Sequence, residues 1–167
     1  PGLLNGRILL NLDSEDEGQI FIGCAGGRDT VGTIRMETIP APAKAAAFRI
    51  ALTGLKGGHS GDDINKGLGN AVKLLNRFLW NAAATLGARI ADLDAGNLRN
   101  AIAREGFATI TVPKGKAKKL QKYAIRFLQE IRDEYKVTEP GLKLAAEPCD
   151  LPASVLKPAL QKRLLNT

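Results

Sequence analysis

The chain has 167 residues and a mass of 17.8 kDa, room for one domain or for parts of two. With 44% hydrophobic and 25% charged residues it has an ordinary globular composition, which excludes a disordered tail, a collagen-like repeat and a coiled coil. A net charge of +7 raises the question of an acidic partner, whereas no apolar run approaches the roughly 20 residues that cross a bilayer, so no membrane partner is expected.

The chain begins at Pro1, shows no basic-then-apolar signal pattern and enters an apolar run almost at once, which reads as a piece of a longer protein. Residues 7–12 form that run, the pattern of a strand covered on both faces of a parallel sheet. A second apolar run spans 19–25, and 31–39 alternates as a half-exposed strand does. Pro40-Ala41-Pro42 then breaks the pattern, as a hinge between domains would. Beyond it Phe48, Ile50 and Leu52 alternate with Arg49, Ala51 and Thr53, predicting a strand with one buried face. A glycine-rich turn follows over 54–61. Ile64, Leu68, Ala71, Val72, Leu75, Phe78, Leu79 and Ala82 recur at helical spacing, with Asp62 or Asp63 as the cap.

Residues 88–94 and 106–112 read as short strands. The spacing over 114–136 predicts a helix with Ala117, Leu120, Ala124, Phe127, Leu128, Ile131 and Tyr135 on one face, and 142–146 supplies a last strand. From residue 48 to about 147 the order is strand, helix, strand, strand, helix, strand. That is the ferredoxin-like order of an α+β fold, an antiparallel sheet with two helices on one face. The chain is thereby divided into 1–40, 41–147 and a Pro-rich basic tail, 148–167, containing Pro148, Pro152 and Pro158.

Three segments carry candidate chemistry. In 13–18, acids at alternate positions followed by Gly18 suggest a calcium loop, but Cys24 stands where the bidentate Glu must be, and calcium is rejected. Asp13 instead falls at the carboxyl end of a buried strand, where open α/β sheets place their ligands; a carboxylate there can hold a metal, although one Asp does not define a site and the segment taken alone reads first as a solvated acidic turn. His59, the one histidine, sits in the turn Gly57-Gly58-His59-Ser60-Gly61. An imidazole there can donate to an oxyanion, ligate a metal or serve as an ordinary polar loop residue. The overlapping Gly54-Leu55-Lys56-Gly57 fits the KH-domain GXXG, a pattern that chance produces easily.

The third is the strand 105–112 beside the lysine-rich helix. Gly106, Phe107, Ala108 and Ile110 fit the RNP1 pattern of an RRM, but Glu105, Thr109 and Val112 replace its basic and aromatic positions. A sheet without stacking rings lacks the main grip on single-stranded RNA. Lys114, Lys116, Lys118, Lys119 and Lys122 therefore read as a solvated face, and no nucleic-acid partner is expected. Cys24 and Cys149 match no metal or disulfide spacing and read as incidental thiols, consistent with a reducing, cytoplasmic compartment.

Taken together, 11–18 (Asn-Leu-Asp-Ser-Glu-Asp-Glu-Gly), 23–27 (Gly-Cys-Ala-Gly-Gly), 54–61, 67–71 (Gly-Leu-Gly-Asn-Ala) and 98–102 (Leu-Arg-Asn-Ala-Ile) occur in an order that closely resembles the aminoacyl-histidine dipeptidases, within the M20 family of dinuclear zinc peptidases. The pattern usually continues with Pro after 98–102, where this chain has Ala103. The resemblance implies a zinc-binding catalytic domain interrupted by a ferredoxin-like lid domain, with residues 1–40 in the first and most of the remainder in the second.

It further implies that Asp13 is a zinc ligand, that His59 stabilises the oxyanion of the scissile carbonyl, and that Asn100 holds the substrate. Two zinc ions are the implied cofactor, with manganese or cobalt as substitutes. A dipeptide is the implied substrate and a homodimer the implied assembly. The family's His-x-Asp segment, its Asp-Glu-Glu segment with the general base, its distal histidine ligand and its lid arginine are not found in this sequence, so the isolated chain is expected to be catalytically silent. The rival readings are a dimerising lid-type module without catalysis and an RNA-binding domain of the same fold order.

Overall fold

The computed structural model describes residues 6–8, 10, 17–23, 26 and 28–166. It divides after Ile34 into two units, each taken by itself. Among the described residues of the first, Glu17 and Gly18 form a turn and the rest has no regular structure. The strand expected over 7–12 is absent at residues 7, 8 and 10, and its other positions lie outside the described residues. The strand expected over 19–25 is likewise not formed at 19–23. Ile8, Leu10, Ile20 and Ile22 are almost fully exposed. A strand requires a neighbouring edge for its N–H and C=O groups, and these described residues have none.

The second unit contains, in chain order, β1 (Thr38–Pro40), β2 (Ala45–Thr53), β3 (Gly58–His59), α1 (Ala71–Leu86), β4 (Arg89–Ala95), β5 (Ala101–Ile102), β6 (Gly106–Pro113), α2 (Ala117–Glu134), β7 (Lys143–Cys149), β8 (Ser154–Leu156) and α3 (Pro158–Leu165). Of the strand expected over 31–39 only β1 forms, paired antiparallel with β8. The expected hinge 40–42 lies inside this unit, turning β1 into β2.

β4, β6, β2 and β7 make a four-stranded antiparallel sheet in that order. Alternation decides its faces. Phe48, Ile50 and Leu52 from β2 and Ala108, Ile110 and Val112 from β6 are buried in one cluster with the apolar sides of α1 and α2. Phe78 of α1 is at its centre, stacked on Tyr123 at 4.8 Å and edge-on to Phe127 at 5.4 Å. Outside the core, Arg77 pairs with both carboxylate oxygens of Glu134 and locks α1 to α2. On the sheet's opposite face Arg49 lies over the Phe107 ring at 5.1 Å. The fold is thus mixed α and β with antiparallel sheets.

Helix α1 begins later than its periodicity suggests. Ile64–Lys66 is a separate 3-10 turn that ends at Gly67, and the Ile64 side chain is exposed. Asn70 is extended, and its Oδ1 accepts from the N–H groups of Val72 and Lys73 at 3.0 and 3.3 Å, so the helix starts at Ala71.

The segment 148–167, read as a tail, contains β8 and α3. Pro158 opens α3 at a position where its missing N–H costs nothing. Leu156, Leu160 and Leu165 are buried in the same core. Gln161 is 4% exposed; its Oε1 accepts from Ile90 N at 2.8 Å and its Nε2 donates to Ala88 O at 2.9 Å. That side chain covers polar groups of the sheet's outer strand.

Candidate active site

The glycine loop leaves the end of β2 against the turn before β7. Gly54 has φ +78, and a Cβ there would collide with the Gly141 carbonyl, so only glycine fits. The loop then pairs β3 with β5 in antiparallel register, Gly58 with Ile102 and His59 with Ala101. Ser60 N donates to Asn100 O at 2.9 Å. The structure therefore brings the His59 and Asn100 segments side by side, although they are 41 positions apart in sequence. Past β5, Ala103 O accepts from Ala71 N at 2.8 Å and ties this ribbon to the start of α1.

His59 is about half exposed, its side chain at 51%. Its backbone N–H donates to Asp63 Oδ2 at 2.7 Å. The N–H groups of Gly61 and Asp62 both donate to its Nδ1, each at 3.2 Å. With Nδ1 serving as acceptor, the neutral ring carries its proton on Nε2, and that N–H is presented as a donor. Asp62 Oδ2 lies 3.5 Å from the same Nδ1, an ion-pair contact that requires the charged ring and competes with the two backbone donors. The two shorter bonds from the loop's own backbone are the better match to the geometry. Asp63 accepts from Lys66 as well, and these two bonds hold its carboxyl below the usual range, Lys66 contributing most.

A cleft of about 440 Å³ lies beside the ribbon, within the size range of small-molecule sites. Lys56, Gly58, Asp94, Asn97, Arg104 and Phe107 are among its lining residues. His59 and Asn100 stand next to it in sequence and do not line it. Asp13 lies outside the described residues, as does Cys24, and Cys149 is an exposed free thiol. Among the described residues no group of three or more His, Cys, Asp or Glu could hold a metal ion, and no helix is long and apolar enough to cross a membrane. Lys114, Lys118, Lys119 and Lys122 are exposed, and Lys116 Nζ donates to Thr85 O at 3.1 Å near the end of α1.

Sequence reasoning missed Glu139. Its side chain is 2% exposed, and its two oxygens accept from Lys56 N and Gly69 N, both at 2.8 Å. An acid ahead of Pro140-Gly141 looks like ordinary turn chemistry, and partners 83 and 70 positions away leave no local signal.

No family model matches the chain. It is 45% identical over 141 residues to the cytosol non-specific dipeptidase of Escherichia coli, a match covering 84% of this chain and 29% of that protein. The crystal structure of aminoacylhistidine dipeptidase from Vibrio alginolyticus superposes with a TM-score of 0.72 at 35% identity, over 77% of this chain and 27% of that one. The chain is similar to these dipeptidases over the matched segment. It spans less than a third of the length of either. The structure of AtUAH in complex with glyoxylate also matches, at a TM-score of 0.51 and 14% identity over 77% of this chain and 32% of that one, a likeness of fold alone.

Proposed function

We propose that this chain is the lid-bearing part of a cytoplasmic, zinc-dependent dipeptidase that hydrolyses unblocked dipeptides, Xaa-His among them. The reading is supported by the 45% identity to a cytosol non-specific dipeptidase together with one geometric observation. Two backbone N–H groups occupy Nδ1 of His59, leaving an Nε2–H donor on a half-exposed loop. Such a donor suits the developing oxyanion of a tetrahedral intermediate, where a hydrogen bond strengthens as charge builds up.

Asn100, on the neighbouring segment, would hold the substrate beside it. The sheet β4-β6-β2-β7 with α1 and α2 on one face is read as a ferredoxin-like lid, and a homodimer as the assembly. Asp13 is the proposed zinc ligand of this chain. The described residues do not themselves make a metal site, so among them the contribution to the chemistry is assigned to His59 and Asn100. The isolated 167-residue chain is expected to be inactive on dipeptides.

The test is hydrolysis of β-alanyl-histidine and several other dipeptides by the whole protein, with and without added zinc, manganese or cobalt. Metal-dependent turnover of dipeptides supports the reading. Absence of turnover in every metal condition, from folded protein, contradicts it and favours a dimerising module without catalysis.

A further inference from the structure

We propose that Glu139 is a positioning residue for His59. The loop that contains His59 has Lys56 and Gly69 at its neck, and the backbone N–H of each donates to one oxygen of the same buried carboxylate. A carboxylate is an acceptor at both oxygens, so it closes the neck with two charge-assisted bonds at once. Packing removes slack on the same side: a Cβ at Gly69 would come within 2.7 Å of Leu55 Cδ2 and 3.3 Å of Glu139 Cγ.

Within the loop, His59 is bonded to Asp63, Gly61 and Asp62, which shape the loop without attaching it to the sheet. Attachment comes from β5 on one side and from Glu139 on the other. Glu139 is itself fixed by the end of α2, its N–H donating to Tyr135 O at 2.8 Å and its carbonyl accepting from Leu142 N at 3.1 Å. The placement of His59 against the Asn100 segment is thereby keyed to the turn between α2 and β7.

The importance of that placement rests on the proposed function, but its test does not use peptide hydrolysis. His59 is the one histidine in the chain, so its imidazole gives a single set of NMR signals. The wild-type chain is expected to show the Nε2–H tautomer alone and protected amides at Gly61 and Asp62. In Glu139→Gln the carboxamide accepts through one oxygen, and one neck amide loses its partner.

The expected result is faster exchange, by about tenfold or more, at a neck amide and at Gly61 and Asp62 together, with the ring signals moving toward a tautomer average. Val112→Ala, which trims the core where β6 pairs with Ala46 at the end of β2 opposite the glycine loop, is expected to leave the ring signals unchanged. Glu139→Gln with faster neck exchange but wild-type ring signals and wild-type exchange at Gly61 and Asp62 would overturn the proposal. Should that variant not fold, exchange in the wild-type chain under mild urea decides. Gly61 and Asp62 opening with Lys56 and Gly69, at the same urea dependence, supports the assignment; their opening independently of the neck overturns it.

Discussion

Replacing Gln161 with Leu tests whether α3 belongs to the folded unit. Gln161 is 4% exposed and holds the N–H of Ile90 on β4, an outer strand of the sheet, at 2.8 Å and the C=O of Ala88 just before that strand at 2.9 Å. Leucine has similar bulk and neither polar group, so the change strands one donor and one acceptor in a dry site. Each orphaned group costs about 1–3 kcal/mol, and the gain from burying a more apolar side chain returns about 1 kcal/mol. The net loss is about 1–5 kcal/mol. With a urea m-value of about 1.5 kcal/mol/M, the midpoint of unfolding falls by about 1–3 M at unchanged m. Gln161→Glu retains the acceptor and loses the donor, and at neutral pH it is expected to be at least as damaging. A loss below about 0.5 kcal/mol in Gln161→Leu would refute the reasoning, because buried strand groups would then have found other partners.

Three further outcomes follow from single observations. Thr111 is buried and its Oγ1 has no hydrogen-bond partner among the described residues, so Thr111→Val is expected to raise stability by about 1 kcal/mol in the same urea assay, and destabilisation would contradict it. Gly54→Ala forces a side chain into the Gly141 carbonyl at φ +78 and is expected to cost at least about 2 kcal/mol. The Asp63 carboxyl is depressed by Lys66 and by the His59 N–H, so its contribution to loop order is present above the ordinary Asp value of 3.8 and is lost as pH falls through its lower folded value. An NMR titration of the His59 amide should therefore show its midpoint below 3.8, and a midpoint at or above that value would contradict the assigned bonds.

The sheet and both long helices were legible because each buries one face, so periodicity in β2, β6, α1 and α2 carries the information. The start of α1 was misjudged because Ile64 and Leu68 fit the helical period by accident, while the deciding signal was the capping side chain of Asn70. α3 was overlooked because prolines and charge suggested a tail, although Pro158 ahead of Leu160 and Leu165 is how a short helix begins. Strand runs in the first 34 residues express burial against edges that their described positions do not have. His59 stood out in sequence as the one histidine in a glycine turn. Its tautomer and its attachment through Glu139 depend on contacts between distant segments, and no local pattern encodes them.

The central claim is that His59 donates to the reacting carbonyl oxygen. The most direct measurement is kcat and KM for dipeptide hydrolysis by the whole protein and its His59→Ala variant, each at saturating metal. Loss of one oxyanion donor predicts a fall in kcat of about a hundredfold or more with KM little changed. Turnover within about threefold of wild type would remove His59 from the chemistry and contradict the account.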